Sequence, residues 1–82
     1  MKLPVIRHLQ RNNTVDELEQ TVKVLESFSE YQGIKDEEMD VIGELITNLC
    51  GAVEVHKMIE SGVPERDAAN RFVKKVLGSI DQ

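Results

Sequence analysis

The feature that most constrains this chain is a long amphipathic helix predicted over residues 37–60. When each residue turns the helix by about 100°, the apolar side chains fall within an arc about 180° wide, centred on Ile42, Leu49 and Val53. An ordinary surface helix has a narrower apolar stripe. One covering helix cannot bury so wide an arc, so we expect at least two neighbouring helices, or one neighbour and a second subunit.

Two further helices are predicted, at about residues 14–32 and 64–77. Thr14 and Glu17 have the spacing of a capping box, in which each side chain satisfies a free backbone N–H at the start of a helix. Phe28 and Tyr31 are expected to widen the buried side of this first helix. Glycines follow the expected ends of the three helices: Gly33, Gly62 and Gly78.

The segment Met1–Asn13 fits two structures. Pro4 can open a short helix, or it can lie in an extended arm at an edge. Short connections between the other helices favour antiparallel neighbours. The sequence therefore predicts an all-α fold, a single domain over residues 1–82. We expect three main helices in an antiparallel helical bundle around the long central helix, preceded by a short helix or an extended arm.

The charge is unevenly distributed along the chain. The formal net charge is −5. Residues 1–12 carry three basic and no acidic side chains, whereas residues 13–40 carry nine acidic side chains against two lysines. A nucleic-acid surface needs a dense basic stripe, which is missing here. The basic segment and the acidic helices instead suggest a contact within the chain or between subunits.

The same sequence argues against several other classes of protein. Within the central helix the longest uncharged run, Leu45–Val53, is far shorter than the roughly 20 residues of a membrane span. One cysteine excludes an internal disulfide and any paired-cysteine metal or redox motif. We find no apolar leader, glycine-rich phosphate loop or zinc spacing. We therefore expect a cytoplasmic protein with no cofactor, no metal, no nucleic acid and no membrane as partners.

Three small side chains, Gly43, Thr47 and Gly51, follow one another at four-residue spacing on the polar side of the central helix. A glycine inside a helix costs about 1 kcal/mol relative to alanine. The glycines are either tolerated on a solvated face or they form a groove that another helix approaches closely. In the second case this row is a possible dimer seam.

Four residues of the central helix are candidates for chemistry: Cys50, His56, Glu44 and Glu54. His56 falls within the apolar arc, where a hydrogen-bonded core histidine is the commoner arrangement. Cys50 lies six residues earlier, which is not a spacing at which two helical side chains face each other. A lone cysteine is commonly a small buried hydrophobe. Glu54 and His56, two apart, point in different directions and cannot chelate a metal together.

Four segments resemble a family of small uncharacterised bacterial proteins, a domain of unknown function. They are Met1–Ile6, Asp40–Ile46, Gly51–His56 and Gly78–Asp81. The likeness spans the whole chain, and it implies no activity.

A fainter similarity is to alkylhydroperoxidase-D-like domains, with Glu44, Cys50 and His56 as the counterparts of that family's acidic residue, cysteine and histidine. That family has two cysteines three residues apart, with the histidine four residues beyond the second. Here position 53 is Val53. Without a second thiol the disulfide chemistry of such domains is missing.

These observations favour a non-catalytic, homodimeric interaction module. The alternative is a thiol-dependent redox accessory protein or small enzyme that uses Cys50 with Glu44, Glu54 or His56. The sequence therefore leaves open whether the protein is an enzyme, and it favours a protein that is not. The sequence does not indicate a biochemical activity, a ligand or a protein partner other than a second copy.

Overall fold

The computed structural model describes the backbone of residues 2–80 and the side chains of residues 2–75. All regular secondary structure in these residues is α-helical, with four helices: α1 (Leu3–Asn12), α2 (Val15–Ser29), α3 (Asp36–Glu60) and α4 (Glu65–Ile80). The prediction of an all-α fold is confirmed, and the count of three main helices is less exact, because the short N-terminal helix left open as an alternative is a fourth helix. The N-terminal segment is a helix of ten residues, not an extended arm.

The central helix contacts all three other helices. Its buried residues form the middle of the core together with one residue each from α1 and α2 and three from α4. From α3 these are Ile42, Asn48, Leu49, Gly51, Ala52, Val53 and Val55. From the other helices they are Ile6, Leu18, Ala68, Ala69 and Phe72.

The ends of the helices follow local signals in most cases. The capping box at Thr14 is present: the Glu17 N–H donates to Thr14 Oγ1 (3.1 Å), and the Thr14 N–H donates to Glu17 Oε1 (2.8 Å). Gly62, just after α3, has φ 105°, a conformation that favours glycine. α4 continues through Gly78 to Ile80, because a glycine weakens a helix without forbidding it.

α2 ends three residues before the predicted boundary. The Glu30 N–H donates to the Ser27 carbonyl and the Tyr31 N–H to the Phe28 carbonyl, each at 3.2 Å. These bonds span three residues, so the backbone tightens into turns and the α-helical pattern stops. As a result the chain leaves the helix before Tyr31, and Tyr31 is exposed.

α2 and α3 run in opposite directions, whereas α1 and α3 run in the same direction. Glu19, early in α2, shares a groove with Lys57 near the end of α3, whereas Phe28 shares one with Val41 near its start. We call this pair of helices the α2–α3 hairpin. In the part of the chain that the structure describes, no helix is long and apolar enough to cross a membrane.

Candidate functional site

One stripe of side chains along α3 is half buried and half exposed. Val41, Leu45, Asn48, Ala52 and Val55 are spaced alternately by four and three residues, which places them along a single side of the helix. The last three are buried, Asn48 to 5% exposed and the other two completely. The first two are 56% and 45% exposed. The stripe is therefore part of the core in its second half and exposed to solvent in its first half.

The first residues of α1 lie at the boundary between the exposed half and the buried half of the stripe. The Lys2 backbone N–H donates to Asn48 Oδ1 at 3.1 Å, at the beginning of α1. At its other end His56 Nε2 donates to the Asn13 carbonyl oxygen at 2.7 Å. α1 therefore runs parallel to the second half of α3, and its first residues are level with Asn48. Beyond that point α1 no longer covers the stripe.

Apolar side chains of α2 extend the exposed half of the stripe. Val24 and Phe28, one helical turn apart, are 66% and 51% exposed. Phe28 lies beside Val41 and Ile42 in a shallow depression of about 330 Å³ that Glu37 and Glu38 also line. We call the exposed set Val24, Phe28, Val41 and Leu45 the hairpin patch. The expectation that Phe28 and Tyr31 are buried was wrong, because no other helix reaches this end of the hairpin among the described residues.

The rim of the hairpin patch is acidic. α3 carries no lysine or arginine between residues 36 and 56, and its first nine residues carry five acidic side chains: Asp36, Glu37, Glu38, Asp40 and Glu44. Glu38 also caps the helix, because its Oε1 accepts a hydrogen bond from the Lys35 N–H at 3.0 Å. The acids stabilise the positive end of the helix. Two of them, Glu37 and Glu38, line the depression beside Phe28 and Val41 and place negative charge at the edge of the exposed apolar surface.

The row of small residues has its two ends in different environments. Gly51 is buried, and a Cβ added there would lie 2.9 Å from Ile6 Cδ1 and 3.1 Å from Phe72 Cε2. Of the two alternatives for Gly51, the solvated face does not apply, because α1 and α4 approach α3 on this side. A Cβ on Gly43 would meet no atom of the described residues within 4 Å. Thr47 is exposed and donates to the Gly43 carbonyl at 2.8 Å. A dimer seam at Gly43 and Thr47 stays a prediction.

Cys50 is exposed, not buried as expected of a lone cysteine. It lies in the groove between α2 and α3 with Glu26, Glu54 and Lys57. Partial desolvation raises the pKa of the Cys50 thiol above its ordinary value, and the negative charges of Glu26 and Glu54 raise this pKa further. A nucleophilic thiol requires the opposite shift.

The four candidates for chemistry are not brought together. Cys50 and Glu54 line one groove, whereas His56 lines a separate one with Thr14 and Asp16. Glu44 lines neither. His56 is half-buried, and its Nε2 proton is committed to the Asn13 carbonyl. Within the described part of the chain, no cluster of three or more His, Cys, Asp or Glu side chains has the arrangement of a metal site.

We expect Cys50 to react slowly with iodoacetamide at neutral pH, because a raised thiol pKa leaves little thiolate. The Glu26→Gln/Glu54→Gln variant removes two negative charges, so its alkylation profile should move to lower pH than that of the parent. Desolvation remains in this variant, so the thiol pKa should stay above its ordinary value. The measurement is the alkylation rate against pH, with Glu60→Gln as a control outside the groove. A parent profile with the midpoint at or below that of a free thiol would contradict this reading.

Sequence comparison places the chain in a family and gives no functional relative. A family model, DUF6952, described as a family of unknown function, matches residues 1–81. No curated protein and no solved structure matches the chain.

Proposed function

We propose a function for this chain from the properties of its surface. The chain belongs to DUF6952, a family of unknown function, so family membership does not supply one. The proposal is a homodimeric interaction module without catalytic activity of its own. A lone cysteine is compatible with a cytoplasmic location, which we propose as well.

The observation that carries this proposal is the stripe on α3 that passes from the core into solvent. Exposed single apolar residues are ordinary on protein surfaces, but contiguous patches mark interaction sites. In the hairpin patch, Phe28 of α2 and Val41 of α3 line one depression, and Val41 and Leu45 continue a stripe whose other half is buried. A second copy that covers the patch would bury the exposed half of this stripe, and it would give a small domain further buried apolar surface.

Sedimentation equilibrium tests the proposal. At tens of micromolar we expect the parent protein to have about twice its 9.3 kDa chain mass. Val41→Glu places a carboxylate in the hairpin patch, and we expect this variant to be a monomer because an unpaired buried charge disfavours association. Thr47→Glu adds the same charge on the same helix outside the patch, and we expect it to remain a dimer.

Each other outcome has a definite meaning. A parent protein that stays at 9.3 kDa over the whole concentration range would overturn the proposal. If Thr47→Glu dissociates the dimer and Val41→Glu does not, association runs through Gly43 and Thr47, and the hairpin patch is not the interface. Circular dichroism of both variants shows whether each one retains its helices.

The alternative function is a thiol-dependent redox accessory protein or small enzyme that uses Cys50 with Glu44, Glu54 or His56. Nothing in the geometry favours it: Cys50 has a raised pKa, and only Glu54 of the three shares its groove.

A further inference from the structure

The uncovered half of the α3 stripe has the length of one short helix. α1 has ten residues, which makes it about 15 Å long at 1.5 Å per residue. The part of α3 that lies before the level of the first residues of α1, from Glu37 to Asn48, is about 18 Å long by the same measure. We propose that α1 of a second copy lies along this uncovered half, so that each copy places its α1 on the hairpin patch of the other. This inference rests on the proposed homodimer.

The charges of the two surfaces are complementary. α1 and the residue before it carry Lys2, Arg7 and Arg11 and no acid. Arg11 is already paired with Glu65 of α4, but Lys2 is exposed. The hairpin patch is bordered by Glu37 and Glu38. A contact between α1 and the patch joins opposite charges and favours both encounter and register.

The apolar surfaces point to the same pairing. Among the described residues, six of the seven exposed large hydrophobic side chains lie on the α2–α3 hairpin: Val24, Phe28, Tyr31, Met39, Val41 and Leu45. The seventh is Val5 of α1, which is 39% exposed. Ile6, the next residue, faces the core and is completely buried. α1 thus has an inner side for its own α3 and an outer apolar residue for a partner.

A direct contact of one hairpin patch with another is the competing arrangement. It would bring the acidic rims of two copies together, and facing like charges cost free energy. Reciprocal seating of α1 avoids this repulsion. In such an arrangement the same contact, between α1 of one copy and α3 of the other, occurs twice. The dimer therefore closes on a two-fold axis and does not grow into a filament.

The test reverses the charges of the two surfaces separately and then together. Lys2→Glu/His8→Glu makes the exposed side of α1 acidic, and Glu37→Lys/Glu44→Lys makes the border of the patch basic; all four residues are exposed. We expect each pair of substitutions to raise the dimer dissociation constant about tenfold or more. The variant with all four substitutions regains opposite charges at the substituted positions, so its dissociation constant should return to within about threefold of the parent value.

The outcomes separate this inference from the proposed function. A parent dimer whose dissociation constant is unaffected by Lys2→Glu/His8→Glu would overturn the seating of α1 and leave the homodimer intact. Failure of the fourfold variant to recover would do the same, because contact of two patches places basic borders against each other in that variant. A parent protein that is monomeric throughout would overturn both. Far-ultraviolet circular dichroism of each variant identifies any loss of helix.

Discussion

Replacing Gly51 with leucine is expected to lower the free energy of unfolding by about 3 kcal/mol, because the added side chain would overlap atoms of two other helices. The first added carbon alone would lie 2.9 Å from Ile6 and 3.1 Å from Phe72. Relief requires the side chains of Ile6 and Phe72, or the helices that carry them, to move away from α3, so the packing around Gly51 is disturbed. Urea unfolding followed by circular dichroism measures the effect.

Gly43→Leu is the matched control for this prediction. The exchange is the same and lies on the same helix, but a Cβ at Gly43 meets no described atom within 4 Å. Leucine has the better helix propensity, so the control should be neutral or stabilise the fold by up to about 1 kcal/mol. Equal effects of the two substitutions would show that α1 and α4 do not approach Gly51 as closely as described.

Truncating Ile6 to alanine is the second substitution with a large expected effect, a loss of about 3–4 kcal/mol. Ile6 is completely buried and is the one fully buried side chain that α1 contributes. A chain of 82 residues is stabilised by only about 4–12 kcal/mol in total. We therefore expect the variant to lose between about a quarter and nearly all of that free energy, which urea unfolding measures as a lower midpoint.

Ile6→Val provides a graded comparison, with an expected loss of about 1 kcal/mol. Hydrogen exchange adds a local measure: amides of α1 should lose protection in the alanine variant before those of α2 do. A loss below about 1 kcal/mol for Ile6→Ala would mean that α1 contributes little to the core.

The parts of the fold that depend on local signals could be predicted from the sequence. The central helix was predicted at residues 37–60 and begins at Asp36 and ends at Glu60, because acidic residues open it and Gly62 closes it. The capping box at Thr14 is likewise a matter of residues three apart. Such signals need no knowledge of the tertiary structure.

The parts that depend on how helices meet could not be predicted. Pro4 is compatible with a helix and with an arm, and the choice is made by packing of Ile6 against Gly51, 45 positions along the chain. The same packing explains why Gly51 is buried on a side of α3 that looks polar. A helical wheel shows the width of an apolar arc but not which length of it each neighbour covers.

The sequence predicted the wide apolar arc of α3 but not which part of this arc would be exposed. The wide apolar arc of α3 predicted at least two neighbouring helices, or one neighbour and a second subunit. The structure shows that α1, α2 and α4 cover its second half well and that the shortage lies at Val41 and Leu45. Phe28 adjoins this surface because α2 extends along α3 beyond the start of α1, and the exposed Val24 lies one helical turn before Phe28. No local pattern in the sequence carries that information.

The parallel alignment of α1 with α3 has a consequence for how the chain folds. The hydrogen bond between Lys2 and Asn48 joins residues separated by 46 positions, with all of α2 between them. Closing so long a loop costs more chain entropy than pairing the neighbours α2 and α3 across their short turn. We therefore expect the transition state for folding to contain the α2–α3 pair, and substitutions in α1 should change the unfolding rate more than the folding rate.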